Sequence, residues 1–131
     1  IVWVPAKDGV RVPMTLVHGE GAVRDGRRPT LLWAYGAYGI WTSPFYSVKA
    51  AVLAERGGVF AICHARGGGE LGEPWRKAGF QATKHRTWED TIACGEWLVQ
   101  NGYTSPDYLG VSGGSAGGIT VGNAIVERPD L

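Results

Sequence analysis

The sequence predicts an α/β protein built on a mainly parallel sheet with helices on both faces. Three observations predict it. The segments Thr30–Ala34 and Val59–Cys63 are short, compact apolar runs, the mark of strands buried on both faces. Stretches with helix start and stop signals separate such runs, which implies crossover connections between parallel strands. Finally, Gly113-Gly114-Ser115-Ala116-Gly117 joins the apolar run Tyr108–Val111 to a helix-like stretch from Gly118 to Arg128.

The elements follow in order. Ile1–Val4 and Arg11–His18 read as two strands joined through Asp8-Gly9, a dipeptide suited to a tight hairpin turn, so the chain starts antiparallel. Residues 19–29 are polar and glycine-bearing, hence a loop, before the strand Thr30–Ala34. A loop rich in Gly and aromatics runs from Tyr35 to Pro44, and Val48–Arg56 is a helix closed by Gly57-Gly58. Gly67-Gly68-Gly69 ends the strand Val59–Cys63. A second helix spans about Thr87 to Asn101, with Thr87 at its N-cap, Glu89 and Asp90 in its first turn and Gly102 to stop it. Without a repeat, a low-complexity tract or a linker, the chain reads as one unit.

Composition narrows the function classes. With 44% hydrophobic and 19% charged residues in 131, the chain has a core to bury and is not of the disordered class. Thirteen basic and twelve acidic residues are scattered at a net charge of +1, which argues against nucleic acid or an anionic membrane as partner. No apolar run approaches the roughly 20 residues of a membrane span. Ile1 is not a natural first residue, so we expect the chain to have been cut from something longer, and the missing leader says little about its compartment. The cytoplasm is the expected location, the periplasm the alternative. Cys63 and Cys94 lack metal-ligand spacing, and two buried thiols are expected rather than a metal site or a disulfide scaffold, with a single bridge left open.

The chemistry concentrates at Ser115. A serine at the apex of a sharp turn from strand to helix, with glycines two residues to either side, is a nucleophile elbow: strained backbone aims the hydroxyl outward, and the missing side chains keep strand and helix from colliding with it. A rival signal is Gly67-Gly68-Gly69-Glu70-Leu71-Gly72, which satisfies G-x-G-x-x-G after a strand, with Glu89 or Asp90 about 20 residues on as a dinucleotide site requires. Against it, Glu73-Pro74-Trp75 places an acid and a helix disruptor where a helix N-terminus should receive a pyrophosphate. We therefore expect no cofactor, and glycines that let a loop run close to the rim of the site.

Five segments together resemble the catalytic domain of the prolyl oligopeptidase family, including oligopeptidase B. They are Tyr35-Gly36-Ala37-Tyr38-Gly39, Arg66-Gly67-Gly68-Gly69-Glu70, Gly102-Tyr103-Thr104-Ser105-Pro106, Gly113-Gly114-Ser115-Ala116-Gly117-Gly118 and Arg128-Pro129-Asp130-Leu131. Their order and spacing match across essentially the whole chain. The resemblance implies an α/β-hydrolase fold, accompanied in the family by a β-propeller that admits only short peptides, and a serine peptidase activity. On the family pattern Ser115 attacks the scissile carbonyl, while the backbone N–H of Ala116 and the hydroxyl of Tyr35 stabilise the oxyanion. Tyr38 either lines the substrate pocket or packs its loop. Ala116 stands where prolyl oligopeptidases commonly carry Asn, as in many oligopeptidase B sequences, and with Ile40 and Leu71 it leans toward cleavage after basic residues rather than after Pro.

One part of the pattern is missing. This fold supplies its triad in the order Ser, acid, His, yet after Ser115 these residues hold only Glu127 and Asp130 as acids and no His. His18, His64 and His85 precede the nucleophile and are expected to be structural or solvent-exposed. Residues 1–131 are thus expected to be part of a catalytic domain, inactive alone, with Asp, His and propeller lying beyond it, and with an apolar edge that predicts poor monodispersity. Two other classes stay open: a truncated α/β module that only binds or assembles, and an esterase or lipase using the same elbow.

Overall fold

A computed structural model describes residues 1–44 and 46–131. Five strands form one mixed sheet: β1 (Val2–Pro5), β2 (Arg11–His18), β3 (Thr30–Ala34), β4 (Val59–Cys63) and β5 (Leu109–Ser112), in spatial order β1-β2-β4-β3-β5. The β1–β2 hairpin turns through Asp8 and Gly9, where Gly9 has φ 82°, and β2 runs antiparallel to β4. From there the sheet is parallel. Thr30 pairs with Val59 on one side and with Leu109 on the other, so the ends of β3, β4 and β5 emerge at the same rim.

Helices cover both faces. On one, α3 (His85–Gln100) lies across β1 to β4 and buries Leu98 and Cys94 against Val12, Met14, Leu32 and Ala61. Beside it α4 (Gly117–Glu127) packs on α3, β3 and β5. On the other face α1 (Val48–Glu55) touches β2 and β4 and leaves a concavity of about 520 Å³ over Leu31, Trp33, Phe60 and Ile62. Among the described residues no helix is long and apolar enough to cross a membrane. Ile119, Ile125 and Val126 stand exposed on α4, and β5 is an outer strand of the sheet.

Three local expectations are corrected. Cys63 and Cys94 are not two thiols but one disulfide; β4 and α3 present them to each other across the core with their Cα atoms 6.2 Å apart, within the range a bridge spans. Pro74 does not disrupt a helix: α2 (Glu73–Ala78) starts at Glu73 and holds Pro in its first turn, where no N–H is needed. Nor is Thr87 an N-cap. The helix begins two residues earlier, and the face Thr87, Asp90, Thr91, Cys94, Leu98 is buried, so Asp90 points into the protein and not into solvent.

Asp90 is buried because Arg66 is buried with it. The guanidinium donates from Nη2 to Asp90 Oδ1 at 2.6 Å and from Nη1 to Asp8 Oδ2 at 2.5 Å, while the Arg66 backbone N–H reaches Asp90 Oδ2 at 2.9 Å. Loss of water opposes its charge, but the bonds to Asp90 and Asp8 outweigh that and hold the guanidinium above its ordinary pKa. One side chain thereby fastens the β1–β2 turn, the end of β4 and α3. Removing one partner of such a pair strands a buried charge, so Arg66→Met is expected to cost about 3–5 kcal/mol in urea unfolding, part of it recovered in Arg66→Met/Asp90→Leu. Alkylation of the unfolded, unreduced protein should find no free thiol; two modified cysteines by mass would contradict the bridge.

Candidate active site

The elbow forms where β5 hands over to α4. Ser115 has φ 52°, the left-handed region that a non-glycine residue occupies only at a cost of order 1–3 kcal/mol. It is solvent-exposed. Two glycines make this turn possible. A Cβ on Gly113 would lie 2.7 Å from the Ala34 carbonyl oxygen and 2.9 Å from Val121 Cγ2, and one on Gly117 would lie 2.8 Å from the same Ala34 oxygen. The end of β3 therefore presses on the elbow from both sides of the serine. Gly114 and Gly118, by contrast, face open space.

Beyond the serine, the Gly117 N–H donates to Gly114 O at 2.8 Å and the Gly118 N–H to Ser115 O at 2.9 Å, starting α4. Among the described residues none takes a hydrogen bond from the Ala116 N–H. That free donor sits at the positive end of an eleven-residue helix.

Tyr35 follows β3 directly and lies against the elbow helix. Its Cδ2 and Cα are 3.3 and 3.4 Å from where a Gly117 Cβ would stand, its ring stacks on Trp33 at 6.2 Å, and Thr120 Oγ1 donates to its carbonyl at 3.1 Å. Lys84 Nζ donates to the next carbonyl, Gly36 O, at 2.5 Å, and burial lowers the pKa of this ammonium. Tyr38 is 75% exposed with φ 57°, so it projects from the loop and does not pack it. The glycines of the rival motif serve this loop too: a Cβ on Gly67 would overlap Gly36 O and one on Gly69 would overlap Gly39 O, while the Gly39 N–H donates to Gly67 O at 3.0 Å.

His64 is no base for Ser115. Its Nε2 shares a hydrogen bond with Thr15 Oγ1 at 2.8 Å, its Nδ1 faces Glu70 Oε1 at 3.5 Å, and the ring is buried. Burial alone would raise the Glu70 carboxyl; the bonds from His64 and the Thr42 N–H outweigh it and hold it below the usual carboxylate range. His18 and His85 are exposed. Among the described residues no three His, Cys, Asp or Glu side chains gather as metal ligands would. Sequence reasoning missed Thr120, Lys84 and the Arg66 pair; polar residues recurring at 3–4 spacing, as in Thr87, Asp90 and Thr91, were the available signal for a buried polar face.

A parallel strand, a left-handed serine and a helix opening behind it define the α/β-hydrolase scaffold. Residues 44–131 match the profile of the prolyl oligopeptidase family, and the chain belongs to that family. It is 43% identical over 130 residues to a prolyl endopeptidase of Elizabethkingia miricola, covering 99% of this chain and 18% of that protein. It superposes on a solved prolyl endopeptidase with a TM-score of 0.96 at 40% identity, covering 98% of this chain and 19% of the other. Oligopeptidase B from Trypanosoma brucei, solved with covalently bound antipain, gives a TM-score of 0.92 at 40% identity over 98% of this chain and 18% of its own. The chain thus spans under a fifth of the relatives it matches.

The glycine contacts make separable demands. Gly113→Ala is expected to lower stability by about 1–3 kcal/mol, since its methyl must displace β3 backbone, whereas Gly114→Ala should be nearly neutral. Thermal unfolding of the two variants checks this, and equal losses would show that the elbow is not tightened by Ala34.

Proposed function

We propose that these residues are the nucleophile-bearing part of a serine oligopeptidase that hydrolyses short peptides after Pro or after a basic residue. The observation that carries the reading is Ser115 in left-handed backbone at the head of α4, with Tyr35 docked against that helix. Ser115 Oγ attacks the scissile carbonyl carbon, its proton passes to a base, and the tetrahedral intermediate expels the amine to leave an ester on Ser115 that water then hydrolyses. The Ala116 N–H and the Tyr35 hydroxyl receive the oxyanion. No hydrogen-bond partner takes the Tyr35 hydroxyl among the described residues, and it is not a buried unpaired atom, so it is free for that role.

The base and its orienting acid come from outside these residues in this reading, because no His follows Ser115 and His64 is engaged elsewhere. By themselves these 131 residues are then non-catalytic. The relatives keep both specificities in play, one being a prolyl endopeptidase and another an oligopeptidase B. Tyr38, exposed on the loop beside Tyr35, is the residue we assign to substrate contact. The Cys63–Cys94 bridge supports an oxidising compartment such as the periplasm over the cytoplasm.

In the polypeptide that carries this segment, Ser115→Ala should abolish hydrolysis of short peptide amides. Tyr35→Phe should lower kcat about 10²- to 10³-fold with little change in KM, the loss of one oxyanion donor. A panel of peptide amides with Pro or Arg before the scissile bond, run beside simple acyl esters, separates the peptidase from an esterase. Activity on esters alone, or a normal kcat in Tyr35→Phe, would defeat the reading.

A further inference from the structure

We infer that Thr120 is a positioning residue for the oxyanion site, holding Tyr35 in register with the Ala116 N–H through the hydrogen bond from its hydroxyl to the Tyr35 carbonyl; the inference rests on the oxyanion role proposed for Tyr35. Thr120 is 0% exposed and lies on the buried stripe Gly117, Thr120, Ala124 of α4. A buried helical threonine ordinarily satisfies its hydroxyl on the carbonyl four residues back. Thr91 does so on α3, donating to Thr87 O at 2.9 Å. Thr120 instead reaches out of its helix to Tyr35 O at 3.1 Å, 85 residues away in sequence.

The consequence is geometric. One oxyanion donor, the Ala116 N–H, is part of the start of α4; the other, the Tyr35 hydroxyl, belongs to a loop after β3. The Thr120 bond refers both to one rigid helix, one turn inside it. The Tyr35 peptide is then clamped from two directions, since Lys84 Nζ holds the following carbonyl at 2.5 Å and Gly117 admits Tyr35 Cα at its bare backbone. An oxyanion donor acts only when held within a few tenths of an ångström of its place. A bond to the backbone of Tyr35 sets the ring without touching substrate.

The test is a double-mutant cycle in the polypeptide that carries this segment, assayed on the peptide amide it cleaves best. Thr120→Val keeps shape and removes the hydroxyl; kcat should fall about three- to tenfold, the worth of one net hydrogen bond, with KM unchanged. Thr120→Ser should restore most of the rate, and Thr120→Val added to Tyr35→Phe should cost nothing further. If Thr120→Val does not fold, Thr120→Ala against Thr120→Ser gives the same comparison. A slow Tyr35→Phe with an additive Thr120→Val, or a Thr120→Val that moves KM instead, overturns the positioning role and leaves the Tyr35 reading intact. A normal Tyr35→Phe overturns both.

Discussion

The carbonyl of Ala34 projects between two positions that carry no side chain, and the rest of the site depends on that approach. The last residue of β3 comes within contact distance of both Gly113 and Gly117, one on each side of Ser115. Any side chain at either position would push β3 away from β5 and α4, and Tyr35, the next residue after Ala34, would move with it. Strand pairing, serine conformation and the placement of Tyr35 are therefore one constraint seen from three sides. The interior is close-packed, so it transmits such a displacement instead of absorbing it.

The same tactic recurs one layer further out. Gly67 and Gly69 lay backbone against the backbone of Gly36 and Gly39, Gly36 also makes room for the Thr87 methyl, and together they join the Tyr35 loop to the segment after β4. That segment is in turn held by Arg66, whose guanidinium is shared between the hairpin turn and α3. A catalytic loop rich in glycine has little stiffness of its own. Here stiffness is supplied by neighbours: a buried ion pair beneath, a hydroxyl on one carbonyl and an ammonium on the next.

Strands with strong local character are legible in the amino-acid sequence itself. β2, β3 and β4 lie where apolar runs place them, and the elbow is where the G-x-S-x-G spacing puts it, because those signals are local. What escaped the sequence is pairwise. Thr87 looks like a cap because its chemistry suits one, yet its hydroxyl is used on Arg66 O, 2.7 Å away across the core. Pro74 looks like a breaker until its place in the first turn is known. Thr120 has nothing in its surroundings along the chain to separate it from Thr91, and only the approach of Tyr35 does so. Cys63 and Cys94 likewise become a pair only when β4 meets α3.

That covalent link has a topological effect on everything between its ends. Cys63 and Cys94 are 31 residues apart, and the closed ring they form contains Arg66, the glycine segment and α2. The exposed turn at Gln81 and Ala82 lies inside the same ring. A single cut there by a protease would open the ring without releasing either part: α3 and the elbow would stay tethered to β4 until the bridge was reduced. Scission of the backbone at that turn and separation of the two halves are distinct events in this fold.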